Sequence, residues 1–198
     1  EDLETKSILK QLPAAHAALA ELKGIVRSIP NQIILLNTLG IQEAKDSSSV
    51  ENIITTHDEL YKANLDFEIN TSPDVKEVQN YVAAMKRGFE LVQTQGLLTN
   101  QTILKIQETL EGNNAGFRKL PGTALKNAQT GEIVYLPPQD PNEILSLMAN
   151  LEQFINDPEL SDYDPFVKMA IIHYQFESIH PFYDGNGRTG RILNILYL

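Results

Sequence analysis

Apolar and polar positions along this chain alternate with a period near 3.6 almost throughout, which predicts a helical protein. From Leu3 to Ile29 Leu, Ala and charged residues recur at helical spacing, and Pro13 should kink or split that helix. Asn31 to Glu43 carries the apolar run Ile33-Ile34-Leu35-Leu36, whose state the pattern leaves open. A helix is expected over Ser48 to Leu65. Another spans Asp74 to Gln95, with Val75, Val78, Val82, Met85 and Phe89 on one face. Thr99 should cap the next, which ends at Gly112. Helices over Asn142 to Asn156 and Pro165 to Ile179 follow, the latter opened by the cap pair Asp164-Pro165. A last helix is expected from about Gly187 to Arg188, carried by Ile192, Leu193, Ile195 and Leu196.

One stretch breaks the helical period. Between Gly116 and Pro138, Thr130-Gly131 is a turn signal and Glu132 to Leu136 has strand character. The partner strand would lie around Thr123 to Leu125. The fold class is therefore all-α with one small β-hairpin. A two-stranded hairpin is marginally stable alone, so it should hang over the helical body as a flap. The plainer alternative is a long connection between helices.

With 198 residues, 42% of them hydrophobic, the chain can bury one sizeable core. No apolar run is long enough to span a bilayer. There is no cysteine, which excludes disulfides and thiolate metal sites. The net charge of −10 argues against nonspecific nucleic-acid binding, which needs clustered Lys and Arg. It also means that any anion site must be made locally positive.

Such a site is written between His180 and Arg191. His180 has an unperturbed pKa near 6.5, so it can accept a proton at neutral pH. Pro181 should stop a helix there and leave the imidazole at a helix-to-loop corner. A helix-capping histidine is the plainer alternative. Asp184 suits Mg²⁺, which takes one or two carboxylates together with phosphate oxygens and water. It could instead close an Asx-turn or cap a helix. Gly185, Asn186 and Gly187 offer backbone amides without Cβ obstruction, forming an anion nest that runs into a helix N-terminus. Arg188 and Arg191 share a face near that N-terminus, where cations are unfavourable to the helix dipole. An anionic partner is implied, or ion pairs with acidic groups elsewhere.

The run His180-Pro181-Phe182-Tyr183-Asp184-Gly185-Asn186-Gly187-Arg188-Thr189-Gly190-Arg191 resembles the signature of the Fic family, His-Pro-Phe-x-Asp/Glu-Gly-Asn-Gly-Arg-x-x-Arg, and fills every specified position. The resemblance implies a Fic-type helical domain with a flap bordering the active site. It implies a protein adenylyltransferase that moves AMP from ATP to a Ser, Thr or Tyr hydroxyl. His180 would then be the base and Asp184 the Mg²⁺ ligand. Gly185, Asn186, Gly187, Arg188, Thr189, Gly190 and Arg191 would bind ATP, Arg191 receiving the γ-phosphate. The flap would align the target by strand addition, which reads mostly backbone. Two regions are expected: an N-terminal helical region over 1–70 and a Fic core over 71–198.

Ser47-Ser48-Ser49-Val50-Glu51-Asn52 reads locally as a helix start, with serine caps and Glu51 in the first turn. It also resembles the Fic inhibitory motif Ser/Thr-x-x-x-Glu-Gly/Asn, filled by Ser47, Glu51 and Asn52. By that resemblance Glu51 pairs with Arg191 and takes the γ-phosphate position.

Other outcomes of the same resemblance are removal of AMP with Glu51 orienting water, transfer of another phosphoryl group, or an inactive nucleotide-binding module. The implied partner is a protein bearing a hydroxyl side chain, which could be the chain itself, and a homodimer is compatible with it. No export pattern opens the sequence, which favours the cytoplasm. Fic domains continue beyond the signature helix, so a fragment lacking later helices or a winged-helix domain is also compatible. His173 should pack or hydrogen-bond beneath the loop.

Overall fold

A computed structural model describes residues 3–30, 32–65, 72–127 and 129–198. Two helices open it, split just before Pro13. Helix α1 spans Lys6–Leu9 and α2 spans Leu12–Ser28, with Pro13 in its first turn where its missing N–H costs nothing. The backbone of Ile33 to Leu36 lies in α3, Gln32–Ser49, while their side chains, like the expected 70/71 boundary, lie outside the described residues.

The expected helix over Ser48 to Leu65 is instead the end of α3, a turn, and α4 at His57–Leu65. Two caps explain the break. Asn52 adopts the left-handed region (φ 63°), its N–H donating to Ser49 O (3.1 Å) while Ile53 N–H reaches Ser48 O (3.2 Å). This is a Schellman C-terminus with asparagine where glycine usually sits. Thr56 and Glu59 then form a reciprocal capping box: Glu59 N–H donates to Thr56 Oγ1 (3.3 Å) and Thr56 N–H to Glu59 Oε2 (2.8 Å).

Helix α5, Pro73–Gln95, is the central post, packed by α3, α6 and α9. Its buried face is Val75, Val78, Tyr81, Ala84 and Gly88; Phe89, expected inside, is 54% exposed. The face turns because Gly88 is the point of closest approach. A Cβ there would lie 2.7 Å from Leu196 Cδ1 and 2.8 Å from Ile106 Cδ1.

Helix α6, Asn100–Glu111, begins at the Thr99 cap and ends at left-handed Gly112. The hairpin follows as β1, Leu125–Lys126, antiparallel to β2, Ile133–Tyr135, pairing Leu125 with Tyr135 and Lys126 with Ile133 across an irregular step. Helix α7, Pro141–Asn156, precedes α8, Pro165–Ile179, where Asp164 Oδ1 accepts from Phe166 N–H (2.9 Å). Helix α9, Asn186–Tyr197, closes the bundle.

The fold is thus all-α with one small hairpin. The core joins Tyr81, Ile103, Ile106, Met148, Leu151, Ile172, Phe176, Phe182, Ile192 and Leu193, all essentially inaccessible. Phe182 matters most for the site. Its ring lies beneath the 180–186 loop, against Phe117 (5.3 Å) and Phe176 (6.3 Å). Burying such a side chain is worth about 1.5–3 kcal/mol, enough to pin a short loop to the core. Among the described residues no helix is long and apolar enough to cross a membrane.

Candidate active site

His180 sits where Pro181 was expected to put it, just past the end of α8. Its backbone is left-handed (φ 49°, ψ 59°) and its N–H donates to Phe176 O (2.9 Å). The imidazole is largely buried, with Nδ1 3.9 Å from Glu177 Oε2, too far for a direct hydrogen bond. Burial, helped by the Arg118 charge, holds its pKa below the ordinary 6.5. The ring is therefore neutral at pH 7 and free to take a proton.

The loop after it is closed by Asn186. Its Oδ1 accepts from Phe182 N–H and its Nδ2 donates to Phe182 O, both at 2.9 Å. The Asn186 side chain is spent inside the loop, so it faces an anion only through its backbone. Gly185 caps α9 in the left-handed region (φ 75°) without a side-chain bond. Asp184, considered as a cap, instead accepts Gly185 N–H (2.8 Å) through Oδ1 and stays exposed. A Cβ on Gly185 would strike the Glu111 carboxylate, and one on Gly187 the Glu51 carboxylate. The first amides of α9 have no intrahelical acceptor and, with the dipole, favour an anion. Two carboxylates lie beside them, Glu111 at Gly185 and Glu51 at Gly187.

Glu51 also meets Arg191, whose Nη2 donates to Glu51 Oε1 at 2.9 Å. Arg191 Nε donates to Ser47 Oγ (2.6 Å) and Nη2 to Ser47 O (2.9 Å). The guanidinium therefore caps the C-terminal turn of α3, where a cation suits the dipole. The Schellman turn at Asn52 aims Glu51 back over α9. Ser47 and Glu51 are thus brought to Arg191, with Asn52 making the turn, from the end of a helix rather than its start. The Asn-centred C-terminus and the Thr56-x-x-Glu59 capping box were the local signals for this.

Arg188 behaves differently. It is 6% exposed, with Nη1 on Glu77 Oε2 (2.8 Å) and Nη2 on Glu111 Oε1 (3.0 Å). Its fork ties α9 to α5 and α6. Burial raises the Glu111 pKa, and Arg188 pulls it back down. Thr189 and Gly190 are buried where α9 crosses α8; a Cβ on Gly190 would lie 2.6 Å from Glu177 Oε1. His173 hydrogen-bonds Asn194 (3.2 Å), joining α8 to α9.

The flap is fastened at its base. Tyr135 Oη donates to Ser178 O (3.0 Å), and Tyr183 Oη accepts Lys119 N–H (2.8 Å) and Leu120 N–H (3.0 Å). Arg118, given no role from sequence, is 1% exposed and donates from Nε to His180 O (2.8 Å). Among the described residues no group of three or more His, Asp or Glu side chains could hold a metal alone. Asp184 does fit a cation that brings phosphate oxygens and water with it.

A helical bundle that places a neutral histidine beside a glycine-lined helix N-terminus is one of a recognised class. Residues 97–198 match the Fic/DOC family and residues 9–90 the Fic/DOC family N-terminal region, and the chain belongs to the Fic/DOC family. The protein adenylyltransferase Fic of Aedes aegypti is 31% identical over 118 residues, covering 59% of this chain and 23% of that protein. The protein adenylyltransferase fic-1 of Caenorhabditis briggsae is 41% identical over 56 residues, 28% of this chain and 11% of that protein. The matched stretch is under a quarter of either relative. A Fic-domain signaling protein of Bacteroides thetaiotaomicron shares the fold, with a TM-score of 0.76 at 22% identity over 91% of this chain and 70% of its own.

Proposed function

We propose that this chain transfers AMP from ATP to a protein hydroxyl, and that Glu51 holds the reaction in check. The observation that carries the reading is the pairing of neutral His180 with an α9 N-terminus on which a carboxylate already rests. In the step, the acceptor hydroxyl oxygen bonds to the α-phosphorus. The bond from that phosphorus to the bridging oxygen of the β-phosphate breaks, and pyrophosphate leaves. The hydroxyl proton passes to the imidazole nitrogen that does not face Glu177.

The amides of the Gly185-Asn186-Gly187 turn bind phosphate oxygens, and Arg191 binds the far end of the triphosphate once Glu51 withdraws. Asp184 is the residue that would hold Mg²⁺, which would neutralise phosphate charge. Arg188, committed to Glu77 and Glu111, supports the cradle from below. The exposed edge of the hairpin would present an extended acceptor segment to His180. The catalytic load is then positioning and charge stabilisation, as phosphoryl-type chemistry requires.

Intact-mass measurement of the protein and of candidate acceptors after incubation with ATP and Mg²⁺ tests the reading. The Glu51→Gly chain should add one AMP moiety per modified hydroxyl and release pyrophosphate, faster than the parent. Adding His180→Ala should abolish the mass change. A Glu51→Gly chain that binds ATP yet adds nothing would overturn the reading, and loss of AMP from a modified acceptor would assign the reverse reaction.

A further inference from the structure

Among the described residues Arg118 is one of the largest fully buried side chains, and no carboxylate pairs with it. Every hydrogen bond of its guanidinium goes to a backbone carbonyl, and Nη1 makes none. Nε donates to His180 O (2.8 Å), and Nη2 donates to Ile179 O (3.2 Å) and to Pro138 O. Its own N–H donates to Pro181 O (2.8 Å). Burying a cation against carbonyls alone is a poor source of stability, since an apolar residue would avoid the desolvation cost. An exposed lysine could cap α8 as well.

The planar fork does what neither alternative can: one rigid group bonds two segments at once. One is the end of α8, where His180 is held in a left-handed conformation that a residue with a Cβ disfavours. Another is Pro138, where the chain leaves the hairpin. The neighbouring residues repeat the join, with Phe117 against Phe182 and the Lys119 and Leu120 amides on Tyr183.

We propose that Arg118 is a positioning residue that sets the distance between the His180 imidazole and the acceptor strand lying on the flap. This inference rests on the transfer reading above. A lysine would keep the charge but could not hold the His180 and Pro138 carbonyls in one plane.

The test uses the Glu51→Gly chain, with Arg118→Lys and Arg118→Gln added separately. A misplacement of about 1 Å costs about a hundredfold in rate, so kcat for AMP transfer should fall by about that factor in both. ATP affinity should change far less, because the nucleotide cradle lies on α9. The acid limb of the rate profile adds a second readout. The charged groups facing His180 are Glu177 on α8, Arg118, Glu51 after α3 and Asp184 in the loop. With Glu51 removed, Arg118→Gln should move the limb upward and Arg118→Lys should leave it in place.

A folded Arg118→Lys chain with parental kcat would overturn the proposal, as would a kcat loss matched by an equal loss of ATP binding. Should both variants unfold, the Arg118 Nε–H of the wild-type chain decides. A slowly exchanging NMR signal coupled to the His180 carbonyl supports the clamp, and a freely exchanging one overturns it. Absence of any transfer by Glu51→Gly would count against the proposed function instead, leaving the clamp to that exchange measurement.

Discussion

Asn52 offers a way to loosen Glu51 without touching it. Its left-handed backbone (φ 63°) costs an ordinary L-residue roughly 1–2 kcal/mol, less for asparagine, least for glycine, and most for a β-branched side chain. Asn52→Val therefore adds on the order of 1–2 kcal/mol of strain to the Schellman turn. The turn can shed that strain by opening its two capping bonds, to Ser49 O and Ser48 O, which swings the adjacent Glu51 away. Opposing this is the Glu51–Arg191 pair. Its side chains are 40% and 23% exposed, so it holds about 1 kcal/mol or less. The added strain shifts the docked-to-open ratio roughly 5–30-fold toward the open form. Initial rates of AMP transfer, read by intact mass, should rise in the order Asn52→Gly, wild type, Asn52→Ala, Asn52→Val. The valine chain should approach Glu51→Gly. Its melting temperature should fall by roughly 2–4 °C per kcal/mol lost, so folding can be checked in parallel. A folded valine variant with the wild-type rate would refute the reasoning, and so would a glycine variant faster than wild type.

Three further outcomes are expected. Because burial lowers the His180 pKa below 6.5, the neutral base persists as pH falls through 6.5, and the acid limb of kcat/KM should have its midpoint below that value. Burial raises Glu177 above its ordinary 4.5, so between 4.5 and the raised value the folded chain binds more protons than the unfolded one. Stability then falls as pH rises through that window, and Glu177→Gln should flatten urea midpoints across it, with the similarly raised Glu111 leaving a residual slope. Arg188→Met strands the Glu111 carboxylate beside Glu77 and should cost about 3 kcal/mol in urea unfolding, near the low end for a broken buried pair because Glu77 is 41% exposed.

Helix ends were legible wherever a local device makes them. Thr99, Gly112, Asp164-Pro165 and Pro181 each act within a few residues of themselves, and each ends or starts a helix as expected. The Ser47 to Asn52 stretch was misread because serine before glutamate is an N-terminal pattern, while the competing signal was a single asparagine able to turn left-handed. The buried face of α5 was read right at Val75 and Val78 and one step off from Val82 onward, because periodicity counts side chains. Gly88, which has none, is where α6 and α9 come closest.

The same division runs through the site. The sequence alone determined the chemistry on offer, because His180, Asp184, the glycine turn and both arginines are contiguous and their backbone geometry is local. Only the tertiary structure decided what each charge is committed to. Arg188 goes to Glu77 and Glu111, Arg191 to Ser47 and Glu51, and Arg118 to the carbonyls beneath His180. These partners lie far off in the chain, and ion pairs and carbonyl clamps carry no period for a sequence pattern to show. They exist because α3, α5 and α6 pack around α9, and that packing puts the Glu51 carboxylate beside the helix N-terminus.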